Sequence, residues 1–138
     1  MDKNLAAIVR HERAAQENRK LTTAIGEAIA ACPVSVELSD WNLHHARRKE
    51  LSTDEGLAKT HLWQALNHRE PSPCGHGEVR LREDEIDDYL AEDPACEQCR
   101  RAWALIQQRK VVRQELGGAK RAIRAIGRAA LSKVNTHE

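Results

Sequence analysis

Four residues with metal-binding side chains fall in two short motifs near the middle of the chain. The turn Cys74-Gly75-His76 supplies a thiol and an imidazole, and Cys96-Glu97-Gln98-Cys99 supplies two further thiols. Four sulfur and nitrogen ligands in a tetrahedron are what structural Zn²⁺ requires. The sequence therefore predicts one structural zinc ion, held by Cys74, His76, Cys96 and Cys99.

The second motif is placed where thiolates are stabilised. Asp93-Pro94 precedes it, and Asp is a favoured helix N-cap while Pro is favoured at the first helical position. A helix that begins at Pro94 carries Cys96 and Cys99 in its first turn, on one face. The positive end of the helix dipole and the free N–H groups there favour thiolate, the form that binds metal.

Other ligands and other uses of the cysteines compete with this interpretation. Cys32, His61 and His68 are substitute ligands if His76 is not used. The alternatives to a metal site are packing cysteines and a redox dithiol, and a redox pair is expected in a βαβ context that the sequence does not show. Four protein ligands leave no position for an activated water, and the chain has no phosphate-binding glycine loop or His-Glu-x-x-His motif, so we expect no enzyme.

Part of this region resembles a known family. Tyr89-Leu90, followed five residues later by Cys96-x-x-Cys99 and a helix, is similar to the metal-binding half of zinc-containing anti-sigma domains. Those domains place a His four residues before the first Cys, where this chain has Glu92. The whole chain also resembles small proteins of phages and other mobile elements. The resemblance implies a regulatory protein that docks onto a protein complex and inhibits it, as an anti-sigma-like or phage-borne inhibitor of host or defence proteins does.

The composition indicates which elements position these residues. The 138 residues include 41% hydrophobic but only 3% aromatic side chains, 31% charged residues and four Pro. This composition favours an all-α fold over a sandwich or barrel. No apolar run is long enough for a membrane span and no signal-peptide core follows Met1, so we expect a cytoplasmic protein with reduced cysteines and no membrane partner.

Apolar periodicity predicts a long helix at each end of the chain. Residues 3–31 carry a stripe that Pro33 ends: Leu5, Ile8, Ala15, Leu21, Ile25, Ala28 and Ile29. Residues 94–132 carry a heptad-like seam: Leu105, Val112, Ala119 and Ile126, with Leu116, Ile123 and Ala130 between them. The two helices are predicted to form an antiparallel coiled-coil-like pair. Gly117-Gly118 interrupts the seam, so either the helix bends there or a neighbour packs very close.

The middle of the chain is predicted to cap one end of this pair within a single domain over residues 1–138. Residues 34–73 are expected to form short helices, one of which starts at a capping box at Ser52–Glu55 and ends near His68. Residues 74–99 form the predicted zinc-binding region. It includes one short strand around Val79 and Leu81 and an acidic helix over 84–90 with Ile86 and Leu90 inward.

The charges are strongly segregated along the sequence. Residues 71–99 hold nine acids and two bases, whereas residues 100–138 hold ten bases and two acids. Six cations fall on the face of the last helix that points away from the seam: Lys110, Arg113, Lys120, Arg121, Arg124 and Arg128. We expect this stripe to contact a nucleic-acid backbone or an acidic partner protein. The alternatives are an inhibitor or adaptor that docks through its helical surface, a solvated face, and a homodimer through the exposed seam.

Overall fold

The computed structural model describes residues 2–33 and 60–136, and it is mostly helical there. The helices are α1 (Lys3–Ala30), α2 (His61–Asn67), α3 (Glu83–Ala91) and α4 (Glu97–Thr136), and two short strands are β1 (Arg69–Pro71) and β2 (Glu78–Arg80). The predicted all-α fold with two long terminal helices is confirmed. Of the short helices predicted over 34–73, only the part from residue 60 onward falls within the described residues, and the capping box at 52–55 lies outside them.

The chain separates into two compact units. We call residues 1–23 with 107–138 the helical-pair unit, and residues 24–106 the core unit. Both α1 and α4 run from one unit into the other, so neither unit is a separate stretch of sequence. The single domain over residues 1–138 stays a prediction. Within the described ranges, none of the helices combines the length and apolar character needed to cross a membrane.

In the helical-pair unit, α1 and α4 pack antiparallel. Arg10 forms an ion pair with Glu115, and farther along α1 the Thr22 hydroxyl accepts a hydrogen bond from Arg109, 3.4 Å away. The contact later in α1 is thus made by a residue earlier in α4, so the two helices run in opposite directions. This confirms the predicted antiparallel pair. The described buried apolar side chains of this unit are small in number: Ala14, Leu21 and Ala119.

The contact face of α1 differs from the predicted stripe at its first two turns. Leu5 and Ile8 are exposed, at 49% and 55% of their surface, whereas Ala14 is buried. Ala14, Leu21 and Ala28 recur every seven residues, and this heptad spacing keeps one narrow line of side chains facing a partner helix. The larger side chains Leu5 and Ile8 fall off that line. The seven-residue period therefore sets the face, and side-chain size does not.

The Gly117-Gly118 pair does not break α4; instead, the side chain of Arg10 packs close to Gly118. Helix α4 is continuous from Glu97 to Thr136. A Cβ atom built on Gly118 would lie 2.9 Å from Nη2 of Arg10, whereas one on Gly117 would meet only Nη1 of Arg121, at an ordinary 3.5 Å. The missing side chain at Gly118 therefore leaves room for the Arg10 guanidinium, which then reaches Glu115.

The core unit encloses an apolar cluster built from all four helices. Its buried members outside the cysteines are Ala28, Leu62, Ala65, Ile86, Leu90, Ala102 and Trp103. Helix α2 begins at His61, after Thr60, whose buried hydroxyl accepts a hydrogen bond from the Trp63 amide. It ends at Asn67, close to the predicted end near His68. The prediction of one helix running from the capping box to this end is wrong, because the extended backbone of Thr60 starts a new helix. On α3, Ile86 and Leu90 are 2% and 3% exposed. These two apolar side chains of the acidic helix therefore face the core, as the sequence predicts.

A small hairpin joins α2 to α3. Strand β1 pairs antiparallel with β2, with Glu70 opposite Val79, and every residue of both strands is exposed. Gly75 and Gly77 in the turn have φ angles of 80° and 72°, which explains the two glycines. The sequence indicates β2 but not β1, because Arg69-Glu70-Pro71 has no apolar alternation.

The last helix begins at Glu97, three residues later than predicted. The Cys96 amide donates to the Leu90 carbonyl at 3.2 Å, so Cys96 still belongs to the turn that follows α3. The Cys96 carbonyl accepts from the Arg100 amide at 3.0 Å, which is the first α-helical bond. Cys96 thus occupies the N-cap position, and Pro94 lies in the preceding turn with a cis peptide bond to Asp93.

The two neighbouring glycines provide a matched test of this packing. Gly117→Ala should stabilise the protein by about 1 kcal/mol, because alanine restricts the unfolded chain and meets only ordinary contacts. Gly118→Ala should gain less, because the new methyl group displaces Arg10 from Glu115. Urea unfolding of both variants measures the difference. Equal gains would contradict the close approach of Arg10.

Candidate metal centre

Four potential ligands converge within the core unit from three helix ends. Cys32 lies just beyond the carboxyl end of α1, and His61 is the first residue of α2. Cys96 and Cys99 occupy the N-cap and first turn of α4. One ligand atom from each of the four residues lies within 4.8 Å of every other. The four side chains are therefore close enough to hold one metal ion.

The distance between two of the sulfurs is compatible with a tetrahedral ion. Cys32 Sγ lies 3.2 Å from His61 Nδ1 and 3.9 Å from Cys96 Sγ. In a tetrahedron with metal–sulfur bonds of about 2.3 Å, neighbouring sulfurs are roughly 3.8 Å apart. The separation of the Cys32 and Cys96 sulfurs is thus close to the tetrahedral value, and the other separations lie within 4.8 Å.

The site is enclosed by apolar side chains. Cys32 and Cys99 are fully buried, Cys96 is 4% exposed and His61 is half-buried. Burial raises the pKa of the Cys99 thiol far above its ordinary value, and hydrogen bonds with Cys96 and Cys32 add to the effect. A bound cation reverses this preference, since a coordinating thiol is deprotonated. Without an ion, burial thus keeps the Cys99 thiol protonated, and binding of a metal there would release this proton.

The structure corrects the sequence-predicted ligand set at two positions. Cys96 and Cys99 belong to the four-residue group, but Cys74 and His76 do not. Both lie exposed in the hairpin turn, where Cys74 Sγ is 3.0 Å from the Ser72 hydroxyl. The two glycines indicate a tight turn correctly, but the strands on either side of it are exposed, so the turn contributes nothing to the core.

The two substitute ligands Cys32 and His61 take those places, and the third, His68, does not. His68 Nε2 lies 3.3 Å from Oε1 of Glu70. The His68 ring also packs against the ring of Tyr89, at a centroid distance of 5.1 Å. A sequence signal for Cys32 exists, because it follows the buried residues Ile25 and Ala28 by seven and four residues and so extends the apolar face of α1. His61 has no comparable local signal.

The predicted basic stripe lies in the helical-pair unit, outside the metal centre. All six of its side chains are exposed: Lys110, Arg113, Lys120, Arg121, Arg124 and Arg128. Helical geometry places them within an arc of about 100° on α4.

No known protein family, curated protein or solved structure matches this chain. The similarity to zinc-containing anti-sigma domains and to proteins of mobile elements therefore stays a prediction.

The assignment is tested by substituting Cys32 and His61, and by comparing them with the sequence-predicted ligands Cys74 and His76. Cys32→Ser and His61→Ala should abolish retention of bound metal and lower the midpoint of urea unfolding. Cys74→Ser and His76→Ala are the matched controls and should change neither, because both residues are exposed in the hairpin. Loss of metal from the control variants alone would restore the ligand set predicted from sequence.

Thiol labelling gives a second prediction. Cys74 is exposed, and its hydrogen bond with Ser72 lowers the pKa of its thiol, so it should react first with iodoacetamide at neutral pH. The other three cysteines should react only after chelation and unfolding. Ser72→Ala should slow the labelling of Cys74, since it removes the group that stabilises the thiolate. Mass spectrometry of digested, labelled protein identifies the modified residue, and fast labelling of Cys99 would contradict the buried site.

Proposed function

We propose that this protein is a non-enzymatic regulatory binding protein, stabilised by a structural Zn²⁺ ion and able to contact nucleic acid through its basic helix. The two parts of the proposal rest on different observations and are tested separately.

The zinc assignment rests on the donor set. Three thiols and one imidazole form a combination that zinc prefers, whereas magnesium and calcium prefer oxygen ligands. Four protein ligands complete a tetrahedral shell, and the surrounding side chains are apolar. Such a closed site supports a structural role, because catalytic zinc keeps one position open for water or substrate.

Metal analysis of protein purified without added metal tests this assignment. We expect one zinc per chain by native mass spectrometry, and a lower unfolding midpoint after treatment with a chelator. The metal should also be released on acidification, since protons compete for the three sulfurs and the imidazole. A protein that carries no zinc, binds none on addition and keeps its stability in chelator would overturn the proposal.

The nucleic-acid proposal rests on the exposed cations of the helical-pair unit. This unit holds thirteen Lys and Arg against five Asp and Glu, whereas the core unit holds nine against sixteen. The near-neutral chain thus contains one unit with a formal charge of +8. The cations on the exposed arc of α4 form its densest row.

The dimensions of this row suit a phosphate backbone. From Lys110 to Arg128 the helix rises about 27 Å, which matches roughly eight base pairs of duplex. The described stripe carries no aromatic side chain on which bases could stack, so it supports backbone contact and gives no basis for reading sequence.

Salt dependence is the decisive measurement. Binding of a mixed-sequence duplex, followed by fluorescence anisotropy, should weaken with a log–log slope of about −5 if all six cations contact phosphates. Arg121→Glu/Arg124→Glu/Arg128→Glu should abolish binding at moderate salt. Arg69→Glu/Arg80→Glu/Arg101→Glu makes the same change in charge at exposed positions of the core unit and should bind as the wild type does.

The control variant makes the result interpretable. Equal losses in both triple variants would show that total charge matters and the stripe does not. Absence of duplex binding by the wild type at low salt would overturn this part of the proposal and leave the zinc site unaffected.

A further inference from the structure

The helical-pair unit does not enclose a core of its own. Among its described residues, Ala14, Leu21 and Ala119 are the buried apolar side chains. Two antiparallel helices bury only the side chains on the faces that they turn toward each other. A four-helix bundle is the common arrangement that buries additional apolar faces. Val111 of α4 remains 64% exposed.

One exposed apolar surface forms a groove beside the pair. The groove encloses about 600 Å³ and is lined on its apolar side by Ala6, Val9, Val111 and Val112. Arg13 and Glu17 of α1 also line it. An apolar depression with a charged border is typical of a surface that another protein covers.

The border carries one positive and one negative side chain, which could pair with the same two side chains of a second copy. Arg13 and Glu17 are exposed, lie one helical turn apart on the same face of α1, and form no hydrogen bond or ion pair with other described residues. In an interface with two-fold symmetry, a residue that contacts a second residue of the partner is itself contacted in the same way. A two-fold axis beside the middle of this turn therefore places each Arg13 opposite a Glu17.

We propose that the protein forms a homodimer in which the helical-pair units of two copies pack through this groove. Arg13 of each copy faces Glu17 of the other, and the valines of the groove are buried between them. The result is a four-helix bundle with a filled interior.

This arrangement is compatible with the basic stripe. On α4, the stripe centres on a direction nearly opposite to Val111, Val112 and Glu115, at about 100° of rotation per residue. Packing through the groove therefore leaves both stripes exposed. The like charge of the two units opposes association at long range, so the dimer should persist at salt concentrations that release nucleic acid.

Charge exchange between two variants tests the proposed pairing. Arg13→Glu places four acids at the two-fold axis and Glu17→Arg places four bases there, so each variant should dimerise at least tenfold more weakly than the wild type. An equimolar mixture should form heterodimers, because each acidic copy then faces a basic one. Arg13→Glu/Glu17→Arg should restore the homodimer. Sedimentation equilibrium at several concentrations measures the affinities.

Two exposed valines on α4 provide the matched test of the groove. Val111→Glu should weaken dimerisation at least tenfold, because Val111 lines the groove, and Val134→Glu should leave it unchanged. Circular dichroism confirms that each variant remains helical. A wild-type protein that is monomeric at all accessible concentrations, or a dimer that is insensitive to both Val111→Glu and the charge reversals, would overturn the proposal. Neither outcome bears on duplex binding by a monomer.

Discussion

The convergence of three helix ends on Cys32, His61, Cys96 and Cys99 is the constraint on which the core unit depends. Cys32 and Cys96 are 64 residues apart in sequence, yet their sulfurs lie 3.9 Å apart. Closing such a long loop costs conformational entropy, and the proposed metal ion would offset this cost by linking both ends. The ends of α1, α2 and α4 meet at these four side chains.

The buried side chains of the core unit indicate what such a constraint would contribute. Among its described residues, several of the most buried positions are small: Ala65, Ala102 and the cysteines. Small side chains bury little surface, and hydrophobic stabilisation is proportional to the surface removed from water. A metal ion held by the four proposed ligands would add stability that such small side chains do not supply.

Sequence patterns predict the features of this protein that depend on local chemistry. Apolar periodicity predicts both long helices, and Cys96 and Cys99 are recognisable because a helix start and a Cys-x-x-Cys motif coincide. The other two ligands depend on long-range packing. Cys74-Gly75-His76 is the better local motif, but no local signal shows whether a turn points into the core. Cys32 becomes recognisable only once the buried face of α1 is known, and that face includes Ala14 and Ala28 but not Leu5 and Ile8.

The separation of charge between the units determines how nucleic acid could be recognised. The whole chain has a formal charge of only +1, so it exerts little attraction on a polyanion at long range. At physiological ionic strength, charges are screened beyond about 8 Å, and the acidic core unit then opposes binding only where phosphates approach it closely. The proposed binding therefore requires direct contacts along α4. For this reason the salt dependence of binding counts contacts made by the stripe and does not report the charge of the protein as a whole.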